Sequence, residues 1–154
     1  MVGSPMAVEV VIALVVVFLA AFVAVSRGGP PERLAAGIIV CWIIADVSYH
    51  LVFGPSGFDE VDPVHLVLDG GELVAIVWLA LRANRMWPLW AAAAQLICVS
   101  GHIAIYVSPE GMRRAYWAMT QLPPYIQLTA LLLGAVAHAR RLERIGPYRS
   151  WRFS

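Results

Sequence analysis

The sequence predicts an all-α integral membrane bundle of about five transmembrane helices, with the N-terminus outside and the C-terminus cytoplasmic. Three observations carry this. The 154 residues are 60% hydrophobic and 14% charged, with a mean hydropathy of +0.74, whereas a soluble domain is roughly half apolar and about a quarter charged. The apolar residues form five runs near the length of about 20 that spans a bilayer. The arginines gather in alternate connections.

Met6–Val25 makes the first span, closed by Ser26-Arg27-Gly28-Gly29-Pro30-Pro31. It lacks a basic leader and carries Glu9, so it reads as a span rather than a cleaved signal. Leu34–Phe53 makes the second, closed by Gly54-Pro55-Ser56-Gly57. Val64–Leu81 makes the third, interrupted by Asp69, Gly70, Gly71 and Glu72. Leu89–Val107 is the fourth, entered through Trp87-Pro88-Leu89-Trp90 and ended by Ser108-Pro109. Ala115–Ala139 is the fifth. Pro123-Pro124 near its start predicts either a kink or a short interfacial turn. No segment outside the spans is long enough for a core of its own, so residues 1–154 form a single transmembrane domain with a basic tail over 140–154.

Arg27 and Arg33, Arg82 and Arg85, and the five arginines after residue 139 fall on one side of a five-span chain; Arg113, Arg114 and the acidic loop Asp59-Glu60-Val61-Asp62 fall on the other. The positive-inside rule makes the first side cytoplasmic. All eleven basic residues are arginine and alanine is abundant, as in a GC-rich bacterial gene. The expected location is therefore a bacterial inner membrane, multi-pass. A net charge of +1 gives no reason to expect nucleic acid. The lipid bilayer is the expected partner, together with another membrane protein or a second copy. Cys41 and Cys98 sit inside apolar runs and read as small buried hydrophobes. In the tail, Tyr148, Trp151 and Phe153 alternate with arginines, as in an interfacial flank or a headgroup anchor.

Ionisable residues inside spans cost about 2.5–3.5 kcal/mol each on insertion scales and need partners or a wet cavity. Asp46, Tyr49 and His50 share one face of span two at i, i+3, i+4. His65, Asp69 and Glu72 share a face of span three at i, i+4, i+7. Span four carries Gln95, His102 and Tyr106, and span five Gln121 and Tyr125 at i, i+4. Under the expected topology these stripes lie in the outer half and converge on one pocket.

His50, His65, His102 and Asp46 are a candidate ligand set for Zn or another divalent first-row metal, because imidazole and carboxylate suit such ions. Asp69 or Glu72 would then be a general base toward metal-bound water. Tyr49, Gln95, Tyr106, Gln121 and Tyr125 would line the pocket. Three readings follow: a non-catalytic accessory or ligand- or metal-binding protein, a metal-dependent hydrolase of an amphiphilic substrate, and a small proton-coupled transporter. A haem held between His50 and His102 has the least support. Against all of these stands simple hydrogen bonding between helices, worth about 0.6 kcal/mol per bond. The chain has no HExxH, Walker, GxSxG or GxGxxG motif and no internal repeat. His138 stands apart, at the cytoplasmic end of span five.

Overall fold

The computed structural model describes residues 5–54, 62–107 and 113–152. Within them the chain forms six helices: α1 (Pro5–Arg27), α2 (Pro30–Phe53), α3 (Pro63–Arg82), α4 (Trp87–Val107), α5 (Arg113–Gln121) and α6 (Pro123–Ile145). α2, α3, α4 and the α5–α6 stretch are long and apolar enough to cross a membrane, and the described part of α1, Val11–Arg27, is a shorter apolar helix. The side chains of residues 5–10, Glu9 among them, lie outside the described set.

Helix boundaries follow local chemistry. α2, α3 and α6 each begin with proline in the first turn, where the missing N–H costs nothing. Asp62 caps α3 by accepting from the Val64 backbone N–H at 2.9 Å. Glu32 reaches back one turn to accept from the Gly29 backbone N–H at 2.9 Å, one half of a capping box. The expected disturbance at Pro123-Pro124 is an interruption of one residue, Leu122, which itself stays in the right-handed helical region. α5 ends at Gln121 and α6 starts anew at Pro123, so the fifth apolar run is a short amphipathic helix followed by a long one.

α6 packs against α1, α2, α4 and α5, and α4 against α3, α5 and α6, so these two helices form the centre of the bundle. The contacts are made largely by small residues: Ala20, Ala24, Ala35, Ala36, Ala91 and Ala135 are all buried. Small side chains let helix axes approach closely where no hydrophobic driving force separates lipid from protein. Gly134 shows the extreme case, since a Cβ there would lie 2.4 Å from the Trp87 ring. Outside this core, Phe22, Leu51, Val67, Val74 and Leu133 are largely exposed, an apolar surface suited to acyl chains and far larger than a soluble monomer tolerates.

The tail is tied down. Arg152 N donates to Arg82 O at 2.8 Å, Asn84 N donates to Ser150 O at 3.0 Å, and Trp151 sits beside Trp78 with ring centroids 6.4 Å apart. Residues 149–152 therefore close over the α3–α4 connection.

Candidate functional site

At the end of the bundle where α2 leads to α3, a cavity of about 300 Å³ is bounded by α2, α3, α4, α5 and the start of α6. Two polar clusters meet it, and they differ in a way that decides their chemistry.

The first joins α2 to α3. His50 Nε2 and His65 Nε2 lie 3.1 Å apart. Asp46 Oδ1 is 3.1 Å from His65 Nε2 and 3.7 Å from His50 Nε2. The far side of each ring is engaged as well. His50 Nδ1 lies 2.9 Å from the carbonyl oxygen of Gly54, which can only accept, so Nδ1 carries a proton. His65 Nδ1 lies 3.2 Å from Asp62 Oδ2, which also accepts from the Tyr49 hydroxyl at 2.7 Å. In the neutral tautomers with both Nδ1 atoms donating, two imidazole lone pairs and a carboxylate oxygen converge; a proton on His65 Nε2 would instead be donated to Asp46 or His50.

The second cluster joins α3 to α4 and α5. Asp69 Oδ2 receives His102 Nε2 at 2.6 Å and the Cys98 thiol at 3.3 Å, and Oδ1 receives the Gln95 amide at 3.3 Å. The Tyr116 hydroxyl lies 3.0 Å from His102 Nδ1, and Gln127 on α6 donates to the Gln95 side-chain oxygen. Here donors and acceptors alternate. Asp69 fills three of its roughly four acceptor positions, and both His102 nitrogens are taken.

The pooled ligand set of the sequence reading therefore divides. Asp46, His50 and His65 form one group of closely spaced donor atoms, and Asp69, Cys98 and His102 another. Both groups contribute to the cavity wall, as does Gln121. Tyr49 stands behind the first group, through Asp62, and Gln95 behind the second, through Asp69. Tyr125 does not join them. It is exposed and lies along a separate groove between α4 and α6, because the helix break at Pro123 ends the i, i+4 relation to Gln121. Glu72 is buried on α3 and does not contribute to the cavity wall. The side chain of Tyr106 lies outside the described residues.

Besides Cys98 and Gln127, three contributors have no site signal in the sequence. Asp62 looked like part of an acidic loop, but it caps α3 and orients His65. Tyr116 lay in a stretch with no polar stripe; its partner, His102, is one helix away. Trp42 lines the cavity with its indole N–H buried and without a hydrogen-bond partner among the described residues.

The opposite end holds a further polar joint. Glu32, fully buried, accepts from Trp87 Nε1 at 2.8 Å and Arg85 Nε at 3.2 Å on the same oxygen. Arg85 Nη2 donates to His138 Nδ1 at 3.1 Å, and the Tyr148 hydroxyl lies 2.7 Å from that nitrogen. One carboxylate thus ties α2, the α3–α4 connection, α6 and the tail together. Its signal in the sequence is Pro31-Glu32 after Gly29, a capping pattern at the start of the second span.

No known protein family matches this chain, and no characterised protein or solved structure is significantly similar to it.

Proposed function

We propose that this is a multi-pass membrane protein that binds one divalent first-row metal ion, with zinc the best fit, through Asp46, His50 and His65. The observation that carries the reading is the convergence of two imidazole Nε2 atoms and a carboxylate oxygen at 3.1–3.7 Å from one another. In the neutral tautomers these three atoms repel one another, and a cation among them removes the repulsion. Ligands about 2.0–2.1 Å from a tetrahedral zinc sit roughly 3.3 Å apart, inside the observed spread. The Nδ1 contacts to Gly54 O and Asp62 match the outer partners that orient metal-bound histidines. By the distribution of arginines, the site belongs in the outer half of the membrane, periplasmic if the chain is from a bacterial inner membrane.

A non-catalytic role fits better than hydrolysis. Asp69 is committed to His102, Cys98 and Gln95, and Glu72 is away from the cavity, so neither is placed as a free base toward metal-bound water. A second reading rests on the same lone pairs: a proton shared by His50, His65 and Asp46 would also relieve the repulsion, as in proton-coupled transport.

Elemental analysis of untagged protein purified without chelator separates the two. One metal per chain, lost in His50→Ala and His65→Ala but kept in Tyr116→Phe, is the expected result. Metal-free protein that remains metal-free after incubation with zinc overturns metal binding and leaves the shared proton.

A further inference from the structure

The groove that takes Tyr125 has no part in the metal reading. It runs between α4 and α6 with a volume of about 830 Å³. Trp90, Ile126 and Leu133 make its sides apolar and are exposed. On α6 alone it extends from Tyr125 to Arg141, sixteen residues or about 24 Å at 1.5 Å per residue. That is most of the roughly 30 Å hydrocarbon layer and well over one leaflet. Its two ends differ in character. The Tyr125 end carries no charge, whereas Arg85, Arg141 and Arg152 border the other.

Arg85 is neutralised by Glu32. Arg141 has its guanidinium over the Tyr148 ring at 4.2 Å, with no acidic partner among the described residues, and Arg152 makes no side-chain ion pair or hydrogen bond among them. The tail's backbone bonds to Arg82 and Asn84 hold Arg152 at this position. Two guanidinium groups without an acidic partner among the described residues therefore stand at one end of an apolar trough, Arg141 stacked on Tyr148 and Arg152 placed by its backbone. Guanidinium pairs well with phosphate oxygens, through two parallel N–H bonds.

We infer that this groove is a binding site for one anionic phospholipid, its phosphate held by Arg141 and Arg152 and an acyl chain laid along α6 past Ala137 and Leu133 toward Tyr125. Charge complementarity selects this occupant. A zwitterionic lipid brings a cation to the same two arginines, and a second apolar helix leaves them unpaired.

Native mass spectrometry of the full chain in mild detergent, titrated with phosphatidylglycerol or phosphatidylcholine of matched chains, tests this. A basic residue near an anionic surface is worth roughly fivefold in affinity, so the pair predicts about a 30-fold preference for phosphatidylglycerol. Arg141→Gln with Arg152→Gln should erase the preference while leaving helicity intact. Ala137→Trp, at an exposed position inside the trough, should abolish retention of either lipid. Equal retention of the two lipids by the unmodified chain overturns the proposal, and that comparison needs no variant. So does a preference that survives the double substitution, or a dimer that excludes lipid and is dissociated by Ala137→Trp.

Discussion

His50 and His65 turn their Nε2 atoms toward each other across 3.1 Å, while the Nδ1 of each is held by an oxygen on its outer side. A histidine pair that served only to join α2 and α3 would alternate donor and acceptor. This pair brings two ring nitrogens to one point beside a carboxylate, the Asp46 oxygen lying 3.1 Å from one and 3.7 Å from the other.

The outer partners should tune affinity without abolishing it. Asp62→Asn removes the charge that orients His65 but none of the three ligand atoms. Zinc affinity is expected to fall by about 10–100-fold, with Tyr49→Phe in the same direction and smaller. Competition titration with a fluorescent chelator reads both, and an unchanged affinity in Asp62→Asn would remove Asp62 from the site.

Acid should release the metal. Protons compete for the two Nε2 lone pairs, so affinity falls as pH falls, and two histidine ligands allow up to two protons taken up per metal lost. Equilibrium dialysis across a pH series measures this uptake. Flat binding through the acid range would mean that the imidazoles are not ligands.

The Asp69 cluster should behave as structure. Tyr116→Phe removes one interhelical hydrogen bond, worth about 0.6 kcal/mol and at most about 1.7. Asp69→Ala takes the acceptor from the His102 N–H, while the Gln95 amide keeps the backbone carbonyl of residue 69 and the Cys98 thiol keeps Thr120 O; a buried polar group left unsatisfied costs about 1–3 kcal/mol. Thermal unfolding in detergent should rank Asp69→Ala below Tyr116→Phe. The reverse order would give Tyr116 a role that hydrogen bonding to His102 does not explain.

At the other end, Glu32→Gln should be much milder than Glu32→Ala. Glutamine keeps one acceptor oxygen for Trp87 and Arg85 and loses the one that Gly29 uses, whereas alanine strands the Arg85 guanidinium, a loss of about 3–5 kcal/mol for a broken buried pair. Gly134→Ala drives a methyl into the Trp87 ring and is expected to cost roughly 1–3 kcal/mol. Both Gly134→Ala and Glu32→Gln act through Trp87, so a double-mutant cycle should show non-additivity of about 0.5–3 kcal/mol. Simple additivity would mean that Trp87 does not couple α2 to α6.

Helices were easy to read from the sequence because each depends on a contiguous run of chain. Apolar length placed α1–α4 within a few residues, and Pro123-Pro124 marked the one break. The same locality explains what was missed. Periodicity shows that His65 and Asp69 share a face of α3, but not that one turns toward α2 and the other toward α4. That depends on how α3 is rotated against its neighbours, and hence on small residues such as Ala80 and Ala91 in the interfaces. Glu32 escaped notice because it precedes the apolar run. Cys98 looked like a hydrophobe because nothing in its own segment reveals Asp69 opposite.

The Glu32 joint also has a consequence for biogenesis. Glu32 leaves the ribosome 53 residues ahead of Arg85 and 55 ahead of Trp87. At about 5–20 residues per second, it waits roughly 3–10 s for the cation that neutralises it. During that interval the carboxylate has the Gly29 N–H of its own helix as partner, so this end of α2 gains its contacts to the rest of the bundle only once the α3–α4 connection has been made.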